Sequence, residues 1–152
     1  MSNARLLELW PTVAAARAAF LHSLERASEA DALRHPGGDE REWCALQVAQ
    51  HVLGWTLNVD KVIESLARGV AVPKHPRGYL PPDAPSTLAE VRHALAEASV
   101  RFLDLPLRVA EQADEVLTVA HEVYGPMTYA GWFERCAAHD GIHLAQVEGA
   151  LA

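Results

Sequence analysis

The sequence predicts an all-α protein, a four-helix bundle with long connections after its second and third helices. Three observations carry this. Apolar residues recur at helical spacing over four long segments, and clusters of proline and glycine separate those segments. The 152 residues suit one domain, and neither an internal repeat nor a second composition is visible. Half the residues are hydrophobic and 22% are charged, which is enough apolar surface for a core without disulfides.

The first helix is expected over about Asn3 to Leu33. Alanine, leucine, arginine and glutamate dominate it, and Leu6, Leu9, Trp10, Val13, Phe20 and Leu24 mark an apolar stripe. Pro11 interrupts the segment: it either kinks the helix or marks its start, with Trp10 pushed towards an extended form. The loop His35-Pro36-Gly37-Gly38-Asp39 follows. A second helix is expected from about Trp43 to Arg68, with Leu46, Val48, His51, Val52, Trp55, Val59, Ile63 and Leu66 on a wide apolar face. Gly69 ends it.

Five prolines and Gly78 make Pro73 to Pro85 a crossing loop. A third helix starts at Ser86 or Thr87, where Thr87-Leu88-Ala89-Glu90 has capping-box spacing. It runs to about Leu103 and resumes after Pro106 as far as Glu111. Val116 to Tyr124 reads as irregular, and Gly125-Pro126 as a turn. The last helix begins near Thr128, an N-cap, and carries Trp132, Phe133, Cys136, His139, His143, Leu144, Val147 and Leu151.

The net charge of −7 excludes the basic field that attracts phosphate backbones, so neither nucleic acid nor an anionic membrane is expected as a partner. No stretch approaches the roughly 18 apolar residues of a membrane span. Met1 to Arg5 lack the apolar core of a signal peptide. Cys44 and Cys136 form neither a disulfide framework nor a CxxC motif. A cytoplasmic location is therefore expected.

His139 and His143 sit four apart on one helix face, near enough to share a partner. Eight histidines scattered at random would give roughly 0.4 such pairs, so spacing alone is weak. Position adds to it. The pair lies along an apolar stripe, and His51 lies within that of the second helix. Polar rings buried there need partners. Three imidazoles from two facing helices could close a metal tripod with open positions, the pattern of a catalytic rather than a structural zinc site, where the plain alternative is a surface or hydrogen-bonded pair.

Trp43-Cys44-Ala45-Leu46-Gln47-Val48-Ala49-Gln50-His51-Val52 resembles the second-helix motif of the DinB-like family, in which a histidine follows an initial tryptophan by about two turns. Thr128-Tyr129-Ala130-Gly131-Trp132-Phe133 and His139-Asp140-Gly141-Ile142-His143-Leu144-Ala145-Gln146 resemble its last helix, with a paired HxxxH followed by glutamine. The resemblance implies a four-helix fold and one divalent metal ion on His51, His139 and His143. Zinc or nickel is favoured, and iron and manganese stay open. It also implies a homodimer. The activities it suggests are thiol-dependent transfer with a low-molecular-weight thiol and isomerisation, on a small-molecule substrate; an open divalent site that lowers the pKa of bound water would also support hydrolysis. A metal-binding or dimerisation module without turnover is the rival reading, and a metal-free scaffold is a third.

Gln47, Gln50, Asp140 and Gln146 are candidates to orient the ligands, each weighed against an ordinary surface role. His121 and Glu122 are candidate acid–base groups, weighed against a solvated loop pair. Cys136 is expected in the core rather than on the metal, and Cys44 has less claim still. Trp55 and Trp132 are expected as pocket walls or as core. His22, His35, His75 and His93 are expected on the surface or in loops. Phosphate-loop, GxSxG, HExxH and paired Glu-x-x-His motifs are absent.

Overall fold

A computed structural model describes residues 2–74 and 78–152. His75 and part of the expected crossing loop lie outside the described residues. The chain is mostly helical. Four long helices are α1 (Ala4–Ser23), α3 (Ala45–Ala67), α4 (Leu88–Leu103) and α6 (Tyr129–Leu151), with single-turn α2 (Glu29–Ala32) and α5 (Leu105–Arg108) between them. A two-stranded antiparallel hairpin, β1 (Val119–His121) and β2 (Gly125–Met127), precedes α6. Among the described residues no helix is long and apolar enough to cross a membrane.

Capping explains most helix starts. The Asn3 side chain accepts from Leu6 N, and its amide group donates to the Ala110 carbonyl at 2.8 Å, tying the start of α1 to the segment after α5. Helix α1 continues through Pro11 with Trp10 helical, and Trp10 Nε1 donates to Leu103 O at 2.9 Å. Thr87 accepts from Glu90 N at the start of α4, and Thr128 accepts from Gly131 N at the start of α6. Gly69, with φ of 75°, follows α3 in the left-handed conformation that glycine adopts without strain.

The first helix is shorter than expected. It stops at Ser23 although the following residues favour helix. Ser28 caps a new turn by accepting from Asp31 N, and this directs the Glu29 carboxylate onto Leu88 N and Ala89 N, at 2.7 and 3.0 Å. A carboxylate on the exposed amides of α4 satisfies two orphan donors and matches the helix dipole. Trp43 lies outside α3, because Cys44 is the N-cap, with Gln47 Oε1 accepting from Cys44 N. The expected irregular stretch is the hairpin, and Gly125-Pro126 belongs to β2 rather than to a turn. The chain reverses over Glu122 to Tyr124 instead, closed by His121 Nδ1 accepting from Val123 N and Tyr124 N. The expected helix from Pro106 to Glu111 is only the turn Leu105–Arg108, where Pro106 sits in the first turn and needs no partner for its missing N–H.

Each of α1 and α3 packs against both α4 and α6. Their apolar stripes meet in two core clusters. One holds Trp55, Ile63, Phe102, Trp132, Phe133 and Cys136, and the other holds Phe20, Leu24, Leu46, Leu95 and Val147. A buried ion pair joins α1 to α6: Arg17 donates to both Asp140 oxygens, at 2.8 and 3.1 Å, and to Ser99 Oγ of α4 at 3.0 Å. Adjacency of α3 and α6 brings His51 opposite His139 and His143.

Candidate metal centre

The three histidines come together. Each offers one ring nitrogen, and those atoms lie within 4.8 Å of one another, close enough to hold one metal ion. Helix periodicity accounts for the pair on α6, and burial of the α3 face brings His51 to it.

The other ring nitrogens set the orientation. His51 Nδ1 donates to the Tyr79 carbonyl at 2.7 Å. A carbonyl only accepts, so this bond leaves Nε2 of His51 as a bare lone pair. His143 Nδ1 bonds Gln146 Oε1 at 2.8 Å, one turn along α6. His139 Nδ1 is buried without a hydrogen bond, since its nearest carboxylate oxygen, on Asp140, is 3.9 Å away. Instead the Trp55 indole holds the His139 ring by stacking, with centroids 3.8 Å apart and planes 11° from parallel. Nε2 of His51 lies 3.3 Å from Nε2 of His139.

These observations test the fit of a metal. One proton can bridge a single pair of the facing nitrogens and leaves the third without a partner. Protonating all three would place like charges together in a largely buried site. Burial pushes the His139 imidazole down to about 3 despite Asp140 beside it, and burial likewise lowers His51 and His143. The site therefore stays a set of neutral nitrogen donors, which suits a borderline divalent ion.

The triad opens on a cavity of about 250 Å³. Trp43, Trp55, Ile142 and the hairpin residues His121, Val123 and Tyr124 line it, with Arg135 of α6. The triad uses three side chains and leaves one side open, and the hairpin covers part of that side.

The remaining candidates sort by geometry. Gln146 bonds a triad ring, whereas Gln47 caps α3 and Gln50 donates to the Pro85 carbonyl. Asp140 belongs to the buried ion pair. Its burial raises the carboxyl pKa, but the Arg17 charge and the hydrogen bonds it receives hold that pKa below the ordinary value. His121 faces the cavity, while Glu122 is exposed and pairs with Lys74 at 3.6 Å. Cys136 is fully buried, its thiol donates to the Trp132 carbonyl, and burial pushes its pKa up to about 12. It is core, as is Trp132, while Cys44 is also buried. His22 pairs with Glu25 and His93 with Glu97 on the surface, and His35 bonds Glu42 O in its loop.

Sequence reading missed Arg135, Tyr124 and the Tyr79 carbonyl. Only Arg135 left a signal, standing four residues before His139 and so on the same face of α6. Gly54 is a further device. A Cβ there would lie 2.6 Å from Pro81 Cγ, so a glycine lets the crossing loop approach α3 closely and deliver Tyr79 O to His51.

No curated protein and no solved structure matches the chain. The family model described as the DinB superfamily matches residues 12–147. That span runs from within α1 to within α6 and takes in α3, α4, all three histidines and the hairpin, and the chain belongs to the DinB superfamily.

Proposed function

We propose that the chain is a divalent-metal-dependent enzyme of small-molecule chemistry, built on a four-helix bundle, with His51, His139 and His143 as its metal ligands. A thiol-dependent transferase or a hydrolase fits best. One observation carries the proposal: three imidazoles with convergent nitrogens, one ring buried and two partly so, stand at the base of a cavity large enough for a small molecule. Membership of a metal-binding superfamily supports it.

A divalent ion with an open position supplies Lewis acidity, lowering the pKa of a water or thiol that it binds. The chain does the rest. Tyr79 O and Gln146 fix the rings of His51 and His143, and Trp55 fixes that of His139. Trp43 and Ile142 give the cavity apolar walls. His121 is the acid–base group of this proposal. Its Nδ1 accepts from two backbone amides, which leaves the proton on Nε2.

The test is metal content, measured by elemental analysis on protein purified without chelator or histidine tag, beside His143→Ala. The expected result is about one equivalent in the native protein and little in the variant, consistent with the three-ligand, open-position geometry. Thiol-transfer and hydrolysis assays then follow on the loaded protein. No metal in either protein, after zinc or nickel is added back at neutral pH, overturns the proposal.

A further inference from the structure

We propose that Arg135 makes the cavity a binding site for a small organic carboxylate, whose acid group it grips at the mouth while the triad lies at the base. The proposal extends the functional reading above and rests on it for the role of the triad.

The first argument is charge. The chain carries 20 acidic residues against 13 Lys and Arg, yet among the described residues no Asp or Glu lines this cavity. Arg135 is the one permanently charged side chain in the described lining. The neighbouring carboxylates are engaged elsewhere. Asp140 is buried behind the triad against Arg17, and Glu122 turns outward to Lys74. A cation in a partly enclosed, low-dielectric cleft without a counter-charge concentrates anions.

The second argument is geometry. The Arg135 guanidinium carbon sits 3.6 Å from the centroid of the Tyr124 ring. Stacking uses the face of the guanidinium and leaves its in-plane N–H groups as a fork, the pattern that matches a carboxylate through two parallel hydrogen bonds. The hairpin delivers Tyr124 to that place: its backbone N donates to His121 Nδ1, and the His121 and Tyr124 rings lie 4.7 Å apart.

The third argument is the rim. Val123 and Ile142 stand 57% exposed at the cavity, an apolar surface suited to the hydrocarbon part of an organic acid rather than to an inorganic ion. A ligand pocket of mostly apolar walls with one placed charge fixes orientation through that charge.

The experiment titrates the full chain as purified with benzoate and with benzamide, which share a shape and differ in charge. Tryptophan fluorescence reports binding, since Trp43 and Trp55 line the cavity. Metal content is measured alongside, and Arg135→Gln and Arg135→Lys are compared at matched metal content. The native protein is expected to prefer benzoate by about ten- to hundredfold, a typical range for a charge-assisted bidentate pair. Arg135→Gln should reduce that preference at least tenfold without changing metal uptake, and Arg135→Lys, which keeps the charge but loses the fork, should retain part of it. An unchanged preference in Arg135→Gln overturns the proposal, as does equal affinity for the two ligands or binding of neither. Arg135 is not a metal ligand, so metal content tests the triad separately from the benzoate-to-benzamide ratio.

Discussion

Replacing Asp140 with asparagine should cost more stability than any surface change, and the structure gives the size. The Arg17 and Asp140 side chains are both 0% exposed and joined by two hydrogen bonds. Asparagine keeps the shape of the acid but presents an NH2 group to one guanidinium nitrogen and removes the counter-charge. Arg17 then keeps one amide oxygen at position 140, Ser99 Oγ and the face of the Phe102 ring, 5.3 Å away, but no counter-charge. Breaking one partner from a buried pair costs about 3–5 kcal/mol. In a domain of this size each kcal/mol lowers Tm by about 2–4 °C, so the midpoint should fall by roughly 10 °C. Urea denaturation of the native protein, Asp140→Asn and the double variant Arg17→Met with Asp140→Leu measures this. The double variant should recover much of the loss, since it removes both charges and leaves none stranded. A cost below about 1 kcal/mol for Asp140→Asn, or a double variant no more stable than the single, would refute the account of a buried charge that depends on its partner.

Four further outcomes follow from the same geometry. Metal-free protein should lose stability as pH falls below about 6.5, because His51, His139 and His143 have lowered pKa values when folded and the unfolded chain takes up their protons first. That stability is fully present above the unfolded value and is lost towards the folded ones. Unfolding at about pH 7.5 and pH 5, in native protein and in a variant with all three histidines changed to glutamine, should show a steeper pH dependence in the native. Gln146→Ala should weaken zinc affinity by about 10–100-fold in a chelator competition while leaving the fold intact, because it frees the His143 ring. Gly54→Ala should destabilise by about 1–3 kcal/mol and weaken zinc binding too, since the new methyl meets the Pro81 ring and displaces Tyr79 O from His51; unchanged Tm and zinc affinity would refute the close-approach role. Neither cysteine should react with a thiol reagent until the protein unfolds, as both are buried and the Cys136 pKa lies at about 12; rapid labelling of native protein would contradict that.

The four long helices were legible because their apolar positions repeat over 16 or more residues, and Thr87 and Thr128 mark the starts of two of them as caps. The same periodicity made His139 and His143 a pair, and the motif around Trp43 and His51 pointed to the third imidazole. Helix ends and connectors were less legible. Helix α1 ends at Ser23, and a few residues on Glu29 meets the amides of α4, 59 residues away in the chain, a partner that local propensity does not register. The three-residue strands are too short to show alternation, so the hairpin read as irregular.

The sequence by itself therefore determined what is local: helical stripes, the caps at Thr87 and Thr128, the glycine that closes α3, and the histidine spacing on one face. Tertiary structure decided what depends on neighbours distant in the chain. It turned Asp140 from a candidate surface residue into half of a buried ion pair with Arg17. It brought Tyr79 O and Trp55 to the triad rings, turned Glu122 outward, and set Arg135 over Tyr124 at the cavity. The physical reason is range. Backbone periodicity and capping act within a few residues, whereas burial, desolvation and the pairing of charges arise only when α1, α3, α4 and α6 close on one another.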